Sequence, residues 1–96
     1  MGKPAIRLGA DKSTGHQGFS PVVAVAASGN VFINGKGSVR TGDPYQPHSA
    51  PKKPPHVGRA IGRGKVRVNG KQAQRAGDPN TCQDTASNGS KNVRFG

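Results

Sequence analysis

Apolar residues fall in short clusters along this chain and never in long runs. Val22 to Ala26, Val31-Phe32-Ile33, Ala60-Ile61, Val66-Arg67-Val68 and Val93-Arg94-Phe95 are each cut off within a few residues by Gly, Pro, Asn or a charge. No stretch shows the 3.6-residue spacing of a helix, and Val, Ile and Phe favour a pleated, half-buried surface. The pattern predicts an all-β domain of short strands and tight turns. Residues 3 to 8 read as a strand. Val22 to Ala26 and Asn30 to Ile33 are expected to pair as a hairpin around Ala27-Ser28-Gly29. Ala60-Ile61 and Lys65 to Val68 repeat that hairpin more weakly, broken by Gly62-Arg63-Gly64. Asn34-Gly35 and Asn69-Gly70 carry the dipeptide of two-residue hairpin turns, where positive φ suits both residues. Gly42-Asp43-Pro44 and Gly77-Asp78-Pro79 read as turns whose Asp accepts local amide hydrogen bonds. His48 to His56 contains Pro51, Pro54 and Pro55 and reads as a stiff, extended excursion. Residues 83 to 91 are polar and read as a loop with fragmentary strand.

These clusters belong to a unit written three times. Asn69 to Cys82 reads NGKQAQRAGDPNTC, residues 34 to 48 read NGKGSVRTGDPYQPH, and the first sixteen residues read MGKPAIRLGADKSTGH. Each copy has Gly-Lys, an Arg four residues after the Lys, a Gly two further on, and then Asp. The sets are Lys3, Arg7, Gly9; Lys36, Arg40, Gly42; and Lys71, Arg75, Gly77, followed by Asp11, Asp43 and Asp78. A repeat at this period is the first feature to look for in a chain. Val31-Phe32-Ile33 and Val66-Arg67-Val68 stand before the second and third copies, and the run missing before the first appears at the far end as Val93-Arg94-Phe95. The expectation is a ring of three equivalent units cut open inside one of them, with the two ends meeting at the seam. Such pseudosymmetry makes physical sense in a chain that sits on the axis of a three-fold partner.

Composition narrows the means by which this ring is held. Residues 1–96 make a single domain, of which only 30% is hydrophobic, with Gly 15 and Pro 8. So thin a core needs a staple, and a single Cys excludes an internal disulfide, which leaves metal or partner. The longest apolar run, Pro21 to Ala27, is too short for a membrane helix. No apolar segment follows the N-terminus, so the chain is expected to be made and folded in the cytoplasm and to leave by a route that reads no N-terminal address. The net charge of +11 points to nucleic acid, an anionic surface or an acidic partner.

The candidate chemistry lies in three His and one Cys. His16, His48 and Cys82 follow the Asp of the three units by four or five residues, so loops converging on a pseudo-three-fold axis would bring them together. The Pro-braced excursion can return His56 as a fourth. Imidazoles with one thiolate suit a closed tetrahedral zinc site; iron fits the set less well. Four protein ligands leave no position for water, Asp84 is the one carboxylate outside the repeated turns, and no nucleophile elbow is present, so the chain is not expected to be an enzyme. Arg7, Arg40 and Arg75 are expected to bond loop carbonyls or their own turn Asp.

Pro4-Ala5-Ile6-Arg7, the repeated Gly-Asp-Pro turns and the three His with one Cys resemble the PAAR-repeat proteins across essentially the whole chain. Ile6 stands where the family motif has Ala. The resemblance implies a small β-rich cone with a metal near its tip, held by His16, His48, His56 and Cys82. It also implies a broad base that caps the trimeric β-helical spike of a contractile injection machine, either a VgrG-like spike of type VI secretion or a phage tail spike. The tip would then be delivered outside the cell against a target membrane, either bare or with effector cargo bound non-covalently. The competing reading is a small basic nucleic-acid-binding protein. It wants stacking aromatics beside basic clusters, and four scattered aromatics supply little. A redox or metal-transfer role fails for want of a second thiol.

Overall fold

The computed structural model describes residues 2–15, 21–50, 53–82 and 84–96, with the backbone alone for 48–50 and 53–55. The described residues form eight short strands and no helix: β1 (Lys3–Pro4), β2 (Phe32–Ile33), β3 (Lys36–Gly37), β4 (His48–Ala50), β5 (Lys53–His56), β6 (Arg67–Val68), β7 (Lys71–Gln72) and β8 (Arg94–Phe95). They pair antiparallel as β2–β3, β6–β7, β4–β5 and β1–β8. The turns of the first two hairpins are Asn34-Gly35 (φ 53° and 81°) and Asn69-Gly70 (φ 54° and 79°), the left-handed pair that matches strand twist. The third hairpin of the set is β8–β1, in which Lys3 faces Phe95 and Pro4 faces Arg94. The two ends of the chain thus complete the unit that the repeat leaves open, as expected.

The expected hairpin around Ala27-Ser28-Gly29 does not form. Val23 pairs instead with Lys12 and Ala24 with Tyr45, and in the next unit Ala60 pairs with Asn80. Alternation shows that a segment is a strand, not which strand it joins, and here ring closure decides. Ser28 turns the chain away from a local pairing: its Oγ accepts from the amides of Asn30 and Val31 at 3.3 and 3.0 Å, and its own amide donates to Ser38. Ser90 treats Asn92 and Val93 in the same way at the same two distances.

The three units join head to tail. Arg7 pairs with Ser38, Arg40 with Ala73, and Arg75 with Ala5, so each unit's Arg strand bridges the next unit and the third returns to the first. At the centre the backbone closes a triangle. Val39 N donates to Ile6 O (3.1 Å), Gln74 N to Val39 O (2.9 Å) and Ile6 N to Gln74 O (3.2 Å). All three residues are wholly buried, as are Ala5, Ser38 and Ala73 beside them. The buried interior of the described residues holds eleven hydrophobic and ten polar or charged side chains. With so little apolar mass, buried polar groups need partners, since leaving one unmade costs about 1–3 kcal/mol. Among the side chains of the described residues only Ser38 Oγ, Asn80 Nδ2 and Asp84 Oδ2 are buried without one. Hydrogen bonding, more than apolar packing, specifies this ring.

Candidate functional site

Each unit leaves the ring just after its turn Asp and comes back through one bridge. The excursions are closed by Lys12 with Val23, Pro44 with Arg59, and Pro79 with Thr85. The returning residues Ala24, Ala60 and Ala86, all buried, then pair with Tyr45, Asn80 and Ser13 of the neighbouring units. In the sequence His16, then His48 and His56, then Cys82 fall between these closing bridges, one excursion for each unit. His16 lies outside the described residues. His48 and His56 are direct antiparallel partners in the β4–β5 register, so the Pro-braced segment is a hairpin that sets one backbone against the other. Cys82, half-buried, packs its Sγ over Gly58; a methyl group on Gly58 would stand 2.5 Å from that sulfur. The structure therefore brings the Cys82 turn onto the strand end that follows His56.

Asp84 ties the remaining excursion to this pair. Its Oδ1 accepts from the Gly15 amide (2.8 Å), the Thr14 hydroxyl (3.0 Å) and the Thr85 amide (2.8 Å). The carboxylate two residues beyond Cys82 thus holds the residue immediately before His16. Burial acts to raise the Asp84 carboxyl, but hydrogen bonds from Ser13, the Thr85 amide, Thr14 and the Gly15 amide outweigh it and hold the group below the ordinary carboxylate range. Asp84 was the one carboxylate that the sequence left outside the turns; the structure buries it as a strut. Among the described residues no three His, Cys, Asp or Glu groups form a metal cluster. The absence of a side chain on Gly58 gives the Cys82 sulfur its place.

Below the excursions, three Arg–Asp clamps brace the turns. Arg7 Nη2 meets Asp11 Oδ1 at 2.7 Å, while Arg40 Nε and Arg75 Nη2 meet Asp43 and Asp78 at 3.0 Å. In each case the Arg backbone amide also donates to the same carboxylate. These are charge-assisted fork contacts of the stronger kind, and they raise each guanidinium above its usual range, chiefly through the side-chain hydrogen bond. The structural role expected for the repeated Arg is what the structure shows, with the turn Asp as partner.

Sequence reasoning missed a buried polar chain. Tyr45 Oη donates to Gln74 Oε1 at 2.6 Å, and Gln74 Nε2 donates to Asn80 Oδ1 at 2.8 Å and Pro79 O at 3.2 Å. Burial pushes the Tyr45 phenol well above its ordinary range, with Asp84, Asp11 and Asp78 adding to the effect. The signal was available: Gln74 occupies the repeat position held by Ile6 and Val39, and a lone Gln in an apolar column calls for partners.

The PAAR motif family model matches residues 10–88, and the chain belongs to that family. A search of curated proteins found no match. PAAR-motif proteins are associated with the spike tips of type VI secretion machines, of the VgrG kind, and form a structural family.

Proposed function

We propose that this chain caps a trimeric β-helical spike, one copy per trimer, and serves as the tip that a contractile injection machine drives into a target envelope. The observation that carries this reading is the closed backbone triangle of Ile6, Val39 and Gln74: one polypeptide repeats a single backbone arrangement three times around a common centre. A heterotypic cap on a three-fold assembly has to present equivalent contacts to three identical subunits, and internal pseudosymmetry provides them. No helix of the described residues is long and apolar enough to cross a membrane.

The excursions would form the point. His16, His48, His56 and Cys82 would hold one zinc ion, with iron as the less suited occupant, and the metal would cross-link three excursions that share little core. Among the described aromatics Tyr45 is buried and only Phe32 is exposed, which leaves little to stack on bases and weighs against a nucleic-acid binder. Light scattering of the full chain mixed with a trimeric spike fragment tests the cap: the expected complex holds one chain and three spike subunits, and three chains per trimer would refute it.

A further inference from the structure

The chain has four Asp and no Glu, and the structure buries every one of those carboxylates: Asp11 and Asp78 are 2% exposed, Asp43 5% and Asp84 1%. Three are taken by Arg7, Arg40 and Arg75, and the fourth by Thr14, Gly15 and Thr85. No side-chain carboxylate is left on the outside to offset the remaining Lys and Arg.

The exposed cations are also ordered. The hairpins β2–β3, β6–β7 and β8–β1 are equivalent, and each puts an exposed Lys at the same place: Lys36, Lys71 and Lys3. The opposite strands expose Phe32, Arg67 and Arg94 at their matching place. Arg67 and Arg94 even lean alike, each giving Nη1 to the carbonyl of the Gly before the exposed Lys, Gly70 or Gly2, at 3.3 Å. Like charges spread over one small surface repel each other and gain nothing for the fold, whereas three of them at three-fold-related points match a ring of opposite charge.

We infer that the three hairpins form a three-point cationic dock, and that the end of the trimeric partner carries an acidic side chain on each subunit to meet it. This rests on the capping reading above and names the chemistry of the surface that is capped.

The test uses the full metal-loaded chain and a trimeric β-helical spike fragment made in two forms, with Glu or with Lys at one terminal surface position per subunit. Affinity is measured by calorimetry from about 50 to about 400 mM NaCl, a range over which exposed charge pairs become screened. The Glu-ended trimer should bind at least about tenfold tighter than the Lys-ended one, with the gap closing in high salt. The triple variant Lys3→Gln/Lys36→Gln/Lys71→Gln should lose that preference. The control Lys12→Gln/Lys65→Gln/Lys91→Gln, which removes as much charge from exposed but inequivalent positions, should keep it. A one-to-three complex that is indifferent to the charge at the spike end overturns the acidic dock and leaves the cap standing. Equal loss in both triple variants also overturns it, since a diffuse polyanion response needs no three-fold match. No complex with either trimer overturns the cap itself and the dock with it.

Discussion

Replacing Tyr45 by Phe removes one oxygen from the centre of the fold, and the surroundings determine what that costs. The phenol is 1% exposed and its only acceptor in the buried chain is Gln74 Oε1, itself wholly buried. The Gln74 amide cannot turn round to compensate. Its Nε2 is committed to Asn80 Oδ1 and Pro79 O, and a flip would set its carbonyl against Pro79 O even if the Asn80 amide, whose Nδ2 has no partner, turned with it. Oε1 is then stranded away from water, at a cost of about 1–3 kcal/mol. For a domain of this size that lowers Tm by about 5–20 °C. Thermal and urea unfolding, run with zinc in fixed excess so that binding contributes equally to both proteins, measure the effect. Gln74→Leu supplies the second arm of a cycle: with the amide gone, Tyr45→Phe should cost at least about 1 kcal/mol less than it does in the native chain. Melting of Tyr45→Phe within about 2 °C of the native protein, or additive losses in the cycle, would refute the claim that this network specifies the core.

Other substitutions probe the clamps and the candidate metal centre. Asp43→Ala strips the acceptors from Arg40 Nε, Nη2 and its backbone amide, and should cost about 2–4 kcal/mol by urea unfolding. Cys82→Ser should reduce bound zinc, measured by elemental analysis, from about one per chain to well below one, and should lower Tm by more than about 10 °C. Gly58→Ala should force the Cys82 sulfur aside and weaken zinc retention against a chelator, whereas Gly29→Ala, which meets nothing within 4 Å, should leave it unchanged.

Much of the ring was legible because its signals are local. Asn-Gly turns, Asp-capped turns and the Arg that serves each Asp are decided within five residues of chain, so the repeat announces them wherever it recurs. The seam between β1 and β8 followed from the same repeat, since the missing half of one hairpin had to be somewhere. Strand partners were not legible in this way. Ala24 bonds to the next unit rather than to its own neighbour, and a period-two pattern carries no information about that choice. Ser28 looks like an ordinary turn serine in the sequence; in the structure it is buried and bonds Asn69 Oδ1 of another unit at 2.6 Å. At the candidate site, the Pro-rich spacing implied an extended excursion able to return His56, and only the structure shows the backbones of His48 and His56 paired across a hairpin. Asp84 misled because a carboxylate without a repeat partner looks free until the Thr14–Gly15 backbone arrives from the other side of the fold.

The four-coordinate centre proposed above would have to break the symmetry of a three-fold scaffold, and the unequal excursions allow it. They hold ten, fourteen and five residues between their closing bridges, and the longest is the one that carries two His. The ring tolerates such unequal lengths because its triangle is closed by backbone amides and carbonyls, and the excursions reach it only through residues at their ends, such as Tyr45 and Asn80 on Gln74. The hairpins likewise close through their own turns and through β1–β8, with no bond routed through the excursions. Metal binding and spike docking should therefore separate. His56→Ala should lower zinc content and Tm while changing affinity for a trimeric spike fragment by less than about twofold, about 0.4 kcal/mol. A parallel collapse of docking in a variant that remains folded by circular dichroism would mean that the excursions organise the ring, and the order of causes argued here, from ring to tip, would have to be reversed.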